Sequence, residues 1–106
     1  MVGKQRRLIL SGAHATKPGG WFVYSTCTFA PEENEGIVTW LLGQLKDTVE
    51  LQTIQLPIAN TMPGLLSWQH VVFEPSVQRT IRVLPTPEME GFFMAKFLKL
   101  RPTRSR

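Results

Sequence analysis

The stretch Lys17-Pro18-Gly19-Gly20-Trp21-Phe22-Val23-Tyr24-Ser25-Thr26-Cys27-Thr28-Phe29-Ala30-Pro31-Glu32-Glu33-Asn34-Glu35 decides the fold class of this chain. Its first four residues stop a helix, because proline cannot continue one and the glycines permit a reversal of direction. Residues 21–25 form a nearly continuous apolar run, which predicts a short strand buried on both faces. Residues 26–30 leave that strand as a loop carrying the only cysteine, Cys27. Pro31 opens a second helix, a position where its missing N–H is not needed. Glu32, Glu33 and Glu35 fall in or near the first turn, where negative charge complements the helix dipole.

Upstream, residues 5–16 predict a helix with Leu8, Ile9, Ala13 and Ala15 as candidate buried positions. Downstream, Ile37, Val38, Leu41, Leu42 and Leu45 make one apolar stripe at helical spacing. Residues 49–55 alternate and predict a strand. From Leu56 onward Pro57, Asn60, Pro63 and Gly64 punctuate a long loop that includes Trp68. Residues 79–84 predict a short strand, residues 85–91 a turn, and residues 92–98 a final strand, central in its sheet. This order of helix, strand, helix, strand, long loop, strand, strand predicts an α/β fold with a mixed sheet. In open α/β sheets chemistry collects at the carboxyl ends of the strands, and the loop holding Cys27 lies at such an end.

Composition narrows the setting. The 106 residues, 42% of them hydrophobic, suit one globular domain with a modest core. No apolar run is long enough to span a bilayer, and the basic start at Lys4, Arg6 and Arg7 is not followed by a secretory signal. One cysteine makes no internal disulfide, so an intracellular, reducing setting is expected, cytoplasmic if the source is bacterial. The net charge of +4 gathers at the ends. Lys4, Arg6, Arg7 and Lys17 sit early, and Lys96, Lys99, Arg101, Arg104 and Arg106 sit late. Such clusters favour a polyanion such as RNA, although a solvated face and a loose tail have the same composition.

A lone cysteine is commonly a small buried hydrophobe. The placement of Cys27 between a strand and a helix start offers another role, since the positive end of a helix favours the nucleophilic thiolate. Glu32 and Glu33 partly oppose that effect. No metal site is expected: His14 and His70 are far apart, and neither Cys-x-x-Cys nor His-x-x-x-His occurs. Gly19-Gly20 precedes a strand rather than a helix, the wrong order for cradling phosphate.

The quoted stretch resembles the hallmark of the Sun-type, or Nop/Sun, RNA (cytosine-5) methyltransferases, which act on ribosomal and transfer RNA. The helix beginning at Gln5 is similar to the one preceding this motif. Arg82-Val83-Leu84-Pro85 and Glu90-Gly91-Phe92-Phe93-Met94-Ala95 resemble the family's closing Arg-x-x-Pro and Gly-Phe-Phe-x-Ala elements. The resemblance implies the C-terminal portion of a class I, Rossmann-like, S-adenosylmethionine-dependent methyltransferase fold, with an antiparallel last strand. Residues 1–100 would belong to the catalytic domain and residues 101–106 form a basic tail.

The resemblance also implies roles. Cys27 would be the nucleophile that attacks C6 of the target cytosine, making C5 electron-rich enough to take a methyl group. Ser25, Thr26 and Thr28 would shape its loop, and Pro31, Glu32 and Asn34 would fix the helix start behind it. Arg82 would meet RNA phosphate or hold the loop near Cys27, with a surface salt bridge as the alternative. Gly91, Phe92, Phe93 and Met94 are expected in the core.

The chain departs from the family's pattern upstream. The family's donor site uses a glycine-rich loop and acidic residues that precede the helix at Gln5, and a second cysteine assists product release. This chain has one cysteine and one aspartate, Asp47. The expectation is therefore a piece that holds the nucleophile, lacks the missing N-terminal half of the catalytic domain, binds no S-adenosylmethionine tightly and is inactive alone. The alternative is a non-catalytic RNA-binding or interaction module derived from this family.

Overall fold

The computed structural model describes residues 2–103. Helix α1 (Val2–Ala15) is followed by strand β1 (Trp21–Thr26), a 3-10 turn (Pro31–Glu33) and helix α2 (Glu35–Gln44). Strands β2 (Val49–Gln52), β3 (Thr61–Pro63), β4 (Ser67–Trp68) and β5 (Val71–Val72) come next, then a second 3-10 turn (Pro75–Arg79), β6 (Ile81–Val83) and β7 (Phe92–Lys99). Arg104 and Arg106 of the expected basic tail lie outside the described residues.

The sheet is built around β7. One of its edges carries β1, from Trp21 opposite Leu98 to Thr26 opposite Phe93. The other edge is shared by β2, which pairs with residues 96–99, and β6, which pairs with residues 92–94. β3 adds to the far side of β6. All these pairings are antiparallel, so β1 and β2 run in one direction with β7 reversed between them. β7 is central, as its apolar pattern predicts, and antiparallel, as the resemblance implies.

Both helices pack on one face. β7 alternates strictly, burying Phe93, Ala95, Phe97 and Lys99 against them. Ile9 and Ala13 come from α1, and Ile37, Val38 and Leu41 from α2. Phe22 stacks on Phe97 at 4.8 Å, and Tyr24 meets Phe93 edge-on. Within α1 the buried positions follow the 100° step, so Leu8 and Ala15, expected inside, are turned outward, with Leu8 59% exposed.

Among the described residues no helix lies over the opposite face of the sheet. Trp21 and Val23 are more than half exposed, and Met94, Lys96 and Leu98 are half-buried beside them. The Lys96 ammonium sits 3.8 Å from the centre of the Trp21 ring. The expectation of a strand buried on both faces is therefore corrected: β1 is apolar on both sides, but only one side is covered here.

Local chemistry sets where the elements end. The buried Lys99 ammonium donates to the Ala13 carbonyl at 2.6 Å and to Thr103 at 3.0 Å, satisfying a carbonyl at the end of α1. Gly19, at φ +86, then reverses the chain in a conformation that suits glycine, and its N–H bonds the Lys99 carbonyl at 2.7 Å. The predicted strand at residues 49–55 stops at Gln52. The long loop expected after Leu56 contains β3 and the small β4–β5 hairpin, whose turn residues Gln69 and His70 both have positive φ.

Candidate active site

Thr26, Phe93 and Arg82 lie directly opposite one another across three strands. Opposed residues share a face of a sheet, so this row points toward the start of α2. Cys27 follows Thr26 immediately, at the carboxyl end of β1, and is exposed. The expected helix at Pro31 is a single 3-10 turn instead, and α2 begins four residues later at Glu35. Cys27 is thus followed by a turn rather than an α-helix terminus, which weakens the helix-dipole argument for its thiolate.

Three consecutive residues, from the last of that turn to the first of α2, tie the cysteine loop down. Glu33 accepts, through its backbone carbonyl, the Tyr24 hydroxyl at 2.7 Å, and its carboxylate accepts from the Gln5 amide at 2.9 Å. Burial, reinforced by the Glu33 charge, pushes the Tyr24 phenol up to about 12. Asn34 is fully buried. Its side-chain oxygen accepts from the Thr26 hydroxyl, and its amide donates to the Thr28 carbonyl at 2.9 Å. One side chain therefore fixes the residues on both sides of Cys27. The Thr28 hydroxyl accepts from the Ala30 N–H at 3.2 Å and tightens the same loop.

Glu35 is also fully buried and pairs with Arg82 through two hydrogen bonds of 2.6 Å. A third hydrogen bond to the carboxylate comes from the Leu65 N–H at 2.8 Å. The remaining Arg82 nitrogen reaches the Phe29 carbonyl at 3.4 Å. Of the three roles considered for Arg82, this geometry favours holding the loop, through a salt bridge that is buried rather than at the surface. Its side chain is only 8% exposed, and a phosphate contact would require breaking the buried pair.

Among the other site residues named from the sequence, Thr26, Thr28 and Asn34 are brought together around Cys27. Pro31 is buried and accepts the Asn34 N–H at 3.1 Å. Ser25 and Glu32 are exposed and stand outside this network. The sequence reading missed Glu35 as a buried partner and Tyr24 as an anchor. The available signal was Arg82 inside the apolar run Ile81-Arg82-Val83, since a buried guanidinium needs a buried acid.

Neither the glycine pair nor the aspartate is placed to hold a donor cofactor beside Cys27. The Gly19–Gly20 turn lies at the end of β1 away from Cys27, and its N–H groups already bond the carbonyls of Lys99 and Lys17. Asp47 sits exposed in the turn after α2. His14, at the far end of α1, lies 2.7 Å from the Thr103 hydroxyl. Among the described residues no helix is long and apolar enough to cross a membrane.

The sequence profile of the 16S rRNA methyltransferase RsmB/F family matches residues 1–98. The chain belongs to this family. It is 40% identical over 98 residues to the tRNA (cytosine(49)-C(5))-methyltransferase of Pyrococcus abyssi, covering 92% of this chain and 30% of that protein. It is 38% identical over 100 residues to the ribosomal RNA small subunit methyltransferase F of Klebsiella pneumoniae, covering 93% of this chain and 19% of that one. A crystal structure of a methyltransferase homolog protein from Pyrococcus horikoshii superposes with a TM-score of 0.80 at 36% identity, covering 93% of this chain and 31% of that chain. The fold is accordingly a portion of the Rossmann-like methyltransferase fold. The chain spans under a third of the length of these relatives.

Proposed function

We propose that this chain is the nucleophile-bearing C-terminal part of an RNA (cytosine-5) methyltransferase, acting on ribosomal or transfer RNA. The observation that carries this reading is Cys27, exposed at the carboxyl end of β1 while Asn34 holds the residues on either side of it. The Cys27 sulfur bonds to C6 of the cytosine, and the C5–C6 double-bond electrons move into the ring and enrich C5. After C5 has been alkylated, loss of its proton restores the double bond and expels the sulfur.

S-adenosylmethionine supplies the methyl group in the intact enzyme and is held outside this chain. The remainder of the catalytic domain supplies that site, pairs with the open edge of β1 and covers the face of Trp21 and Val23. An uncovered edge beside an apolar face supports this docking. The isolated chain is inactive and binds the donor weakly at most.

RNA carrying 5-fluorocytosine tests the nucleophile, because fluorine at C5 blocks the final elimination and leaves the adduct in place. The intact enzyme containing this segment forms a denaturation-resistant RNA adduct, and Cys27→Ala or Cys27→Ser abolishes it. Undiminished adduct with either variant removes Cys27 from the role. RNA binding by the chain with a steep salt dependence, unaffected by Cys27→Ala, would instead favour a non-catalytic binding module.

A further inference from the structure

Phe29, two residues beyond Cys27, is held from two independent directions. Its carbonyl accepts from Arg82, whose guanidinium is itself fixed by the buried Glu35 carboxylate. Its ring lies against Gly91, where an added Cβ would fall 2.6 Å from the ring's Cζ. That Cβ would also meet the Val83 carbonyl at 2.5 Å, so β6 and the ring together fill the space a side chain would need. The rest of the ring is open, with Phe29 47% exposed. A large apolar side chain in a loop beside the candidate nucleophile is thus registered against the ends of β6 and β7.

We infer that Phe29 is the registration point of the Cys27 loop, with Glu35, Arg82 and Gly91 as positioning residues acting through it. This rests on the proposed role of Cys27. Asn34 fixes the loop at Thr26 and Thr28, but both contacts originate from the turn side. The Phe29 clamp adds anchorage from β6 and β7. Two anchors on opposite sides confine the Cys27 sulfur in position as well as exposure. Such confinement matters because a displacement of about 1 Å at a reacting group costs about 100-fold in rate. The Leu65 N–H on the same Glu35 carboxylate joins the long loop after β2 to the clamp.

Two variants separate positioning from stability. Phe29→Ala removes a half-exposed side chain, and the chain keeps its fold. Arg82→Lys keeps the charge opposite Glu35 but loses the fork that reaches Phe29. In the 106-residue chain, backbone order parameters at Cys27 and Thr28 fall from about 0.85 to below about 0.6 in both variants, while those of β1 and β7 do not change. In the intact enzyme, Phe29→Ala slows adduct formation on 5-fluorocytosine RNA by about 10- to 100-fold with unchanged RNA affinity. Unchanged order at Cys27 and Thr28 in Phe29→Ala overturns the inference, as does a loss of order spread evenly through β1 and β7. The order-parameter measurement does not depend on the chemistry of Cys27, whereas the adduct rate does. A Cys27→Ala enzyme that still traps RNA would refute the nucleophile and leave the clamp standing.

Discussion

Glu35 and Arg82, 47 residues apart in sequence, meet in a buried ion pair with two hydrogen bonds of 2.6 Å. The pair joins the first residue of α2 to the middle of β6, behind the loop that carries Cys27. The carboxylate also accepts from Leu65 and the guanidinium donates to Phe29, so both charges have partners beyond each other. Removing one member leaves an uncompensated buried charge, which typically costs about 3–5 kcal/mol. Glu35→Ala is therefore expected to be among the most destabilising single changes in the chain, measured by urea denaturation. A loss under about 1 kcal/mol would contradict the pairing.

Asn34→Ala removes an amide whose partners are the Thr26 hydroxyl and the Thr28 carbonyl. Both lose that bond in a part-buried site, at a cost of about 1–3 kcal/mol. Asn34→Asp keeps an acceptor for Thr26 but faces the Thr28 carbonyl with an oxygen. Both variants are expected to lower the unfolding midpoint, with Asp no better than Ala. An Asp variant of wild-type stability would show that the donor half of the amide is not needed.

Tyr24 gives the fold a pH dependence with a definite sign. Its folded pKa is raised to about 12, first by burial and then by the Glu33 charge. In the unfolded chain the phenol ionises near 10. The folded state thus holds its proton more tightly. Its contribution is fully present below pH 10 and is lost as pH rises from there to about 12. Tyr24→Phe should flatten this decline while losing the hydrogen bond to Glu33. An identical alkaline decline in the variant would place its origin elsewhere.

Trp21 and Val23 stand on an uncovered sheet face next to the open edge of β1. Edges of this kind pair with other chains. The isolated chain is expected to self-associate with rising concentration in sedimentation, and Val23→Lys to reduce that association with little loss of stability. Equal association in wild type and variant would show that another surface is responsible.

The helices, the central final strand and the position of Cys27 were legible because apolar period, proline and glycine report directly on local backbone; the reversal of that strand came with the resemblance. Leu8 misled because an apolar residue near a helical stripe carries no mark of which side it faces. Trp21 and Val23 read as buried because their sequence fits a covered sheet, whereas the described residues leave that face open. The Glu35–Arg82 pair escaped notice because no local pattern links residues 47 apart; only the row Thr26, Phe93, Arg82 across the sheet brings them together. Glu35 was read as a charge complementing the helix dipole, and its burial gives it a second, more specific task.

Locating the covalent bond tests the nucleophile most directly. The intact enzyme containing this segment, trapped on 5-fluorocytosine RNA, is digested with trypsin and nuclease and its peptides are sequenced by mass spectrometry. The account predicts one nucleotide attached to Cys27, within the peptide spanning residues 8–46. A nucleotide attached to any other residue, or a stable adduct whose Cys27 remains free to alkylate, would contradict it.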